Sequence, residues 1–305
     1  MTFLSQLFTR VGRRTAVAAS VAVTALAFPQ ACYGGSSLSS DGGAGFPTPP
    51  PPPQLVDCQV WQAGATAVNA PFGAQGVELN KSFTANGVKG NYHLFARGVD
   101  FSKPVRVVVR LHGDGGREYD NPDGLTSCLA DVANRHNAIY VVPKSPDTVG
   151  SITWWEDIPR NRAWLGALLQ QEIYSRYGLS ATNSVWMGYS GGAEMLTYGI
   201  LARYPEWVGE SATMIGGGGA PANVYNSATP EQKASVRLGW VTGLNDDGSD
   251  GSYNALASAR AGAQFYRGQG FMRVSESYPA NVNHYTVPQL LALEQQLAGQ
   301  DVKIG

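Results

Sequence analysis

The feature that most constrains the fold is a Gly-x-Ser-x-Gly motif at residues 188–192, which lies between two segments of different pattern. Residues 184–187 are apolar enough for a buried strand, and residues 193–198 have the composition of a helix. A motif of this kind between a strand and a helix predicts a sharp turn that exposes the hydroxyl of Ser190 above a sheet. Both outer glycines are needed, because a Cβ there would collide with the neighbouring strand or helix.

The rest of the chain alternates between apolar, β-branched runs and segments with apolar residues at helical spacing. This alternation predicts an α/β fold in which a mostly parallel sheet is flanked by helices on both faces. The predicted strands are residues 90–97, 105–111, 138–143, 184–188, 211–215, 236–242 and 272–278, and the main predicted helices are residues 125–135, 162–177, 254–266 and 287–297.

A serine hydroxyl is a weak nucleophile at neutral pH and needs a neighbouring base that is held in place by an acid. Where a nucleophile elbow carries such a serine, the chain order is serine, then Asp or Glu, then histidine. The chain has four histidines, and only His284 follows Ser190. We therefore predict His284 as the base, in a loop beyond the last strand.

The acid is expected in the loop after the strand at residues 236–242, which contains Asp246, Asp247 and Asp250. Asp246 is the first choice because it comes three residues after Gly243, where a side chain can turn over the end of the strand. Asp247 is the alternative acid. The loop does not have the spacing of an EF-hand, so no metal site is predicted.

Stabilisation of an oxyanion requires backbone N–H groups close to the nucleophile. The buried run at residues 105–111 leads into His112-Gly113-Asp114-Gly115-Gly116, a glycine-rich loop of the kind that leaves such groups free. We predict the N–H groups of Asp114 and Gly191 as the two donors. His112 is expected to shape the loop rather than to take part in chemistry.

These motifs together resemble those of the α/β-hydrolase fold over about residues 85–300. Within that superfamily the chain resembles secreted esterases of the polyhydroxybutyrate depolymerase and feruloyl esterase type. Their pattern also has a Leu-His-Gly strand end and a Trp-rich segment, which Trp154-Trp155 matches here. The chain differs at Asp114, where those esterases often carry a small residue or a cysteine. The resemblance implies hydrolysis of carboxylic esters, such as polyester, feruloyl, acetyl or small acyl esters, through an acyl-enzyme without metal or cofactor.

Two other functions are compatible with the same residues. A serine peptidase or an acyltransferase would use the same serine, acid and histidine, because all of these enzymes form an acyl-enzyme. A surface lipoprotein that binds a partner without catalysis is the alternative of a different class, and the complete set of triad residue types argues against it. The net charge of −1 gives no electrostatic support for a nucleic-acid partner. The oligomeric state is left open.

The N-terminal residues predict export. Three arginines among the first 14 residues precede an apolar stretch at residues 16–28, as in a secretory signal. Cleavage after Ala27 would give a secreted or periplasmic protein, whereas cleavage before Cys32 would give a lipoprotein anchored in the outer membrane through that cysteine. We therefore divide the chain into a signal peptide at residues 1–31, a Gly/Ser-rich and then Pro-rich linker at residues 32–56, and a catalytic domain at residues 57–305.

The three cysteines of an exported chain meet oxidising conditions, under which thiols tend to pair. We predict a disulfide between Cys58 and Cys128, which leaves Cys32 for lipidation. Closing a loop of about 70 residues would stabilise the fold by roughly 4 kcal/mol. Non-reducing peptide mapping of the exported protein tests this pairing. Free thiols at Cys58 and Cys128 would rule out the disulfide, and a mature N-terminus at Phe28 would rule out the lipid anchor.

Overall fold

A sheet of eight strands forms the centre of the computed structural model, which describes residues 67–71, 76–147 and 151–305. The strand order is β1-β2-β4-β3-β5-β6-β7-β8. β2 is antiparallel to both of its neighbours, and the six strands from β4 to β8 are parallel to one another. The strands are β1 Val77–Ala85, β2 Val88–Phe95, β3 Arg106–Leu111, β4 Ala138–Pro143, β5 Ser184–Tyr189, β6 Ser211–Ile215, β7 Arg237–Val241 and β8 Arg273–Ser277.

Helices connect the parallel strands and cover both faces of the sheet. The α-helices are α1 Arg117–Asp120, α2 Ser127–Arg135, α3 Ile158–Leu168, α4 Ser175–Tyr177, α5 Gly191–Glu194, α6 Pro230–Ser235, α7 Ala255–Gly268 and α8 Gln289–Leu297. In the described ranges they are joined by π-helical segments at Leu169–Tyr174 and Met195–Leu201, by a segment at Pro122–Thr126 that is kinked at Gly124, and by short 3₁₀ turns at Ala181–Asn183 and Pro205–Trp207.

Two hydrophobic layers hold the helices against the sheet. On one face α3, the segment Met195–Leu201 and α7 pack on the sheet, and on the other face α2 and α8 do so. Alternate residues of one strand enter different layers, as Val107 and Val108 of β3 do. The central strands are therefore buried on both faces, which is why they appear in the sequence as nearly continuous apolar runs. The prediction of a mostly parallel sheet flanked by helices is confirmed.

Two differences from the predictions have a local cause. The strand β1 was not predicted, because its sequence is half polar and it is an edge strand that pairs only with β2. Helix α3 begins at Ile158 rather than at residue 162. Its start is set by Asp157, whose side chain accepts a hydrogen bond from the N–H of Arg160 at 3.2 Å, and by a proline in the first turn.

The predictions for the N-terminal part concern residues outside the described ranges. The signal peptide, the linker, Cys32 and Cys58 all lie there, so cleavage, lipidation and the disulfide to Cys128 of α2 stay predictions. Within the described ranges, no helix combines the length and the apolar character needed to cross a membrane.

The close approach of α5 to the sheet depends on glycine. A Cβ at Gly192 would meet the carbonyl oxygens of Leu111 and His112 at the end of β3, and a Cβ at Gly188 would meet the carbonyl oxygen of Gly192. These contacts are with backbone atoms, which cannot move aside as the end of a side chain can. The two glycines of the motif therefore let the helix pack directly on the strand ends.

We expect Gly192→Ala to destabilise the protein by at least about 1–3 kcal/mol, because the added methyl group overpacks a backbone contact. Gly268→Ala is the matched control, since open space surrounds that position in α7. This control is expected to be neutral or to gain up to about 1 kcal/mol from helix propensity. Urea unfolding of both variants makes the comparison, and equal midpoints would contradict the packing argument.

Candidate active site

Ser190 occupies the turn between β5 and α5. Its backbone has φ 51° and ψ −120°, a conformation that side-chain-bearing residues rarely adopt. The N–H of Ser190 donates to the carbonyl of Ile215 at 2.8 Å, so the end of β6 holds the strained turn in place. The serine hydroxyl is thereby presented at the carboxyl edge of the parallel sheet, as the motif predicts.

His284 and Asp246 meet Ser190 at this edge. The hydroxyl of Ser190 lies 3.0 Å from Nε2 of His284, and Nδ1 of His284 lies 2.7 Å from Oδ2 of Asp246. The three side chains follow β5, β7 and β8, and the carboxyl ends of parallel strands share one edge of the sheet. With Nδ1–H donating to the carboxylate, Nε2 is left as an acceptor that faces the serine hydroxyl.

Of the three candidate acids, the structure brings only Asp246 to the imidazole. Asp246 is 5% exposed, and its backbone carbonyl accepts a hydrogen bond from the N–H of Leu256 at the start of α7. The carboxylates of Asp247 and Asp250 are exposed and accept the N–H groups of Ser249 and Ser252 within their own loop. Hydrogen bonds from Ser249 hold the pKa of Asp247 below its usual value.

The loop after β3 lies against Ser190 from the other side. A Cβ on Gly113 would lie 3.4 Å from Cβ of Ser190, which places the following peptide beside the nucleophile. Within the described residues, the N–H groups of Asp114 and Gly191 donate no hydrogen bond. Both groups are therefore available to an oxygen atom bound next to Ser190.

The carboxylate of Asp114 has a position that the sequence did not predict. It packs against Gly191, and its two oxygens lie 3.1 and 3.0 Å from Nε1–H of Trp155, which donates to them. Burial raises the pKa of Asp114 above its usual value. A side chain that can carry negative charge thus lies beside one of the two candidate oxyanion donors.

Comparison with known proteins shows what this arrangement is similar to. No family model matches the sequence, and no curated protein matches it at a significant level. The structure resembles a poly(3-hydroxybutyrate) depolymerase from Bordetella parapertussis, with a TM-score of 0.54 and 14% identity over 75% of this chain and 93% of the other.

Two further solved structures are similar at comparable levels. A carboxylesterase from Bacillus cereus gives a TM-score of 0.50 and 19% identity, over 68% of this chain and 92% of the other. A feruloyl esterase module from Clostridium thermocellum, solved with sinapinate, gives 0.50 and 12% identity, over 80% of this chain and 98% of the other. The chain has the α/β-hydrolase fold. Identities this low establish the fold alone.

His112, in the first loop of this α/β-hydrolase fold, is buried and fully engaged. Its Nε2 accepts the N–H of Ser145 at 2.9 Å, so Nδ1 carries the proton and donates to the carbonyl of Gly113 at 2.7 Å. Burial lowers the pKa of His112 to about 4, so that the ring is neutral at pH 7. These bonds hold the loop that carries Asp114, in line with the shaping role that the sequence suggests.

Tyr189 and Gly216 position the imidazole of His284. The Tyr189 hydroxyl donates to the carbonyl of His284 at 3.0 Å, and the two ring centroids lie 5.1 Å apart. A Cβ on Gly216, whose φ is +62°, would lie 3.1 Å from Cε1 and Nδ1 of His284. The sequence did not predict this role for either residue, although Tyr189 lies inside the motif at residues 188–192 and residues 216–219 are expected to line the pocket.

Glu194 is a buried carboxylate that the sequence reasoning also missed. It lies one helical turn after Ser190, on the side of α5 that faces the glycine-rich loop after β6. Its carboxylate accepts the N–H groups of Gly218 and Gly219 at 3.0 and 3.2 Å, the hydroxyl of Ser258 at 3.0 Å, and the hydroxyl of Tyr253. Glu194 thereby links α5, α7 and the loop that contacts His284 through hydrogen bonds.

The described residues contain no group of three or more His, Cys, Asp or Glu side chains that could hold a metal ion. What the arrangement offers chemically is a hydroxyl, a base that can take its proton, and two free N–H donors.

The adjacent aspartates Asp246 and Asp247 differ in their contacts, since only Asp246 bonds to His284. We expect Asp246→Asn to lower kcat for ester hydrolysis by roughly 10²–10⁴-fold, because the amide can no longer hold the imidazole in the tautomer that accepts the serine proton. Asp247→Asn is the matched control and is expected to stay within about twofold of the wild type, since its carboxylate faces solvent. Parallel steady-state kinetics measure both, and a larger loss at Asp247 would reverse the assignment.

Proposed function

We propose that this protein is an exported serine esterase, which hydrolyses carboxylic esters through a covalent acyl-enzyme. The observation that carries the proposal is the continuous hydrogen-bond chain from Ser190 through His284 to Asp246 at the carboxyl edge of the sheet. The export half of the proposal rests on the N-terminal sequence alone.

In the first half of the reaction, Oγ of Ser190 attacks the ester carbonyl and its proton passes to Nε2 of His284. The imidazolium that forms is stabilised by the carboxylate of Asp246, which already accepts Nδ1–H at 2.7 Å. His284 then gives the proton to the departing alcohol, and the acyl group remains bound to Ser190. In the second half, water takes the place of the alcohol, and the carboxylic acid is released.

The negative charge that develops on the carbonyl oxygen would be held by the N–H groups of Asp114 and Gly191. The Asp114 carboxylate opposes this charge when it is ionised and close to Gly191. The indole N–H of Trp155 offsets part of that repulsion, because it donates to both carboxylate oxygens. A substrate that displaces the carboxylate from Gly191 would remove the remaining repulsion.

The activities of the similar structures support esters as the substrate class. They are a carboxylesterase, a poly(3-hydroxybutyrate) depolymerase and a feruloyl esterase module, and all three names describe ester cleavage. We extend that chemistry to this chain because its serine, histidine and aspartate lie at the strand ends where the fold carries a triad.

We expect Ser190→Ala and His284→Ala each to reduce ester hydrolysis by about three to six orders of magnitude without unfolding the domain. His136→Ala is the matched control, because that histidine is half-buried at the end of α2 beside Glu294 and contacts none of the triad residues. Turnover is measured on p-nitrophenyl esters of several acyl lengths, on a feruloyl ester and on a polyester film, with circular dichroism to monitor folding. Near-wild-type turnover of His284→Ala would show that the triad assignment is wrong.

Labelling with an organophosphonate separates catalysis from simple binding. The wild-type protein should gain one phosphonyl group on the peptide that contains Ser190, and Ser190→Ala should gain none. A folded wild-type protein that does not react would favour a non-catalytic binding role instead.

A further inference from the structure

The carboxylate of Asp114 lies beside the candidate oxyanion donors, yet the mechanism above gives it no favourable role. A Cβ on Gly191 would collide with Oδ1 of Asp114. Standard bond lengths then limit the distance from Oδ1 to the backbone nitrogen of Gly191 to about 5 Å. An ester oxygen that accepts this N–H lies about 3 Å from the nitrogen. The carboxylate is therefore close to the reacting carbonyl of any ester bound at Ser190.

Among the described residues, none with a basic side chain forms an ion pair with Asp114. Its carboxylate accepts instead from a neutral group, Nε1–H of Trp155. Partial burial of the carboxylate raises the pKa of Asp114, and the charges of Glu194 and Glu118 act in the same direction. A cation beside the carboxylate would act in the opposite direction and stabilise its ionised form.

Both partners of this hydrogen bond can be reached from solvent. Asp114 is exposed, and Trp155 is 44% exposed although tryptophan is a residue that proteins mostly bury. Cδ1 of Trp155 would lie 3.2 Å from a Cβ on Gly191, so the indole borders the same space as the carboxylate. A carboxylate gives an ammonium group charge and hydrogen-bond acceptors, and an indole adds an aromatic surface that attracts cations. Together the two side chains have the chemistry that binds an ammonium group.

The strand order places Asp114 on the side of Ser190 away from the base. Asp114 follows β3, which pairs with one edge of β5, whereas Asp246 and His284 follow β7 and β8, which lie beyond the other edge. The departing alcohol takes its proton from Nε2 of His284 and therefore lies on the side of the base. The acyl group stays on Ser190, so it is the part of the ester that can occupy the space next to Asp114.

We propose that Asp114 selects esters whose acyl group carries an ammonium group two or three bonds from the carbonyl carbon, a specificity that rests on the proposed esterase function. The ammonium forms an ion pair with the Asp114 carboxylate beside the indole of Trp155. The ion pair also neutralises the charge that would otherwise oppose the oxyanion. The favoured substrates are therefore esters of α- and β-amino acids with a free amino group.

Three ethyl esters of equal size separate charge from shape. They are ethyl butyrate, ethyl 3-hydroxypropanoate and β-alanine ethyl ester, which end in a methyl, a hydroxyl and an ammonium group near neutral pH. Each kcat/KM is divided by the rate constant for hydroxide-catalysed hydrolysis of the same ester, which corrects for the effect of the ammonium on the carbonyl. On this scale the wild-type protein should prefer the β-alanine ester to ethyl butyrate by about tenfold.

Asp114→Asn keeps the size of the side chain and the backbone N–H but removes the charge. We expect kcat/KM to fall about tenfold for the β-alanine ester, which loses an ion pair, and to rise for ethyl butyrate, whose oxyanion is no longer repelled. A structural role of Asp114 would instead change both values in the same direction. Asp301→Asn is the matched control, because it removes the same charge near Arg237, which begins β7 at the opposite edge of the sheet. Thermal unfolding verifies that each variant is folded.

Three kinetic results would overturn the proposal. One is the same ratio of β-alanine ester to ethyl butyrate in the wild-type protein and Asp114→Asn. Another is equal preference for the hydroxyl and ammonium esters, which would show selection of a hydrogen-bond donor rather than of charge. The third is a preference for butyrylcholine over its neutral analogue 3,3-dimethylbutyl butyrate that Asp114→Asn abolishes, because it would place the cation on the alcohol side.

Direct binding separates this proposal from the esterase proposal. Calorimetric titration of full-length Ser190→Ala protein with β-alanine ethyl ester should show saturable binding, and adding Asp114→Asn should weaken the Kd by about tenfold. If the wild-type protein hydrolyses the esters but Asp114→Asn alters neither the kinetic ratio nor this Kd, the ammonium proposal fails and the esterase proposal stands. If the wild-type protein hydrolyses none of them, the esterase proposal fails, and the titration still decides whether Asp114 binds an ammonium group.

Discussion

The contact between the first turn of α5 and the backbone at the end of β3 is the constraint on which the rest of the site depends. Gly192 lies against the carbonyl oxygens of Leu111 and His112, with no room for a side chain between them. This contact fixes the height of the helix above the sheet and forces Ser190 into its backbone conformation of φ 51°. It also brings the loop that follows β3 next to the serine, so that nucleophile and candidate oxyanion donors are positioned together.

The other groups of the site are positioned relative to this turn by bonds between loops that are far apart in the sequence. His284 forms hydrogen bonds with Ser190, Asp246 and Tyr189, and each bond joins segments at the ends of different strands. Glu194 adds a second set of bonds behind the serine, to a loop 24 residues away and to a helix 64 residues away. The strain at Ser190 is sustained because so many neighbours hold the surrounding backbone.

Charge is distributed unevenly around the strand ends. The Asp114 carboxylate packs against Gly191 beside the nucleophile, whereas Arg162 of α3 and Arg203 line a cavity whose walls include no residue of the triad. When it is ionised, this carboxylate would disfavour acyl groups that carry an anion close to the scissile carbonyl.

Much of the fold could be predicted from the sequence because its causes are local or periodic. Strands buried on both faces must be continuously apolar, and the glycine motif permits one kind of turn, so β3 to β8 and the position of Ser190 could be located. His284 could be identified because it is the only histidine that follows Ser190 in the chain. β1 could not be predicted, because half of its residues are polar and it lies at the edge of the sheet. The triad roles themselves stay predictions, although the geometry brings the three side chains together.

Tertiary structure alone decided which side chain at each strand end turns inward. Asp246 and Asp247 are adjacent and chemically identical, and only the packing of their loop against α7 selects the one that meets His284. The placement of the Asp114 carboxylate against Gly191 and the four hydrogen bonds to Glu194 likewise arise between residues distant in the chain. A sequence pattern indicates whether a segment is buried or exposed. Contacts of this kind depend instead on the final orientation of several elements at once.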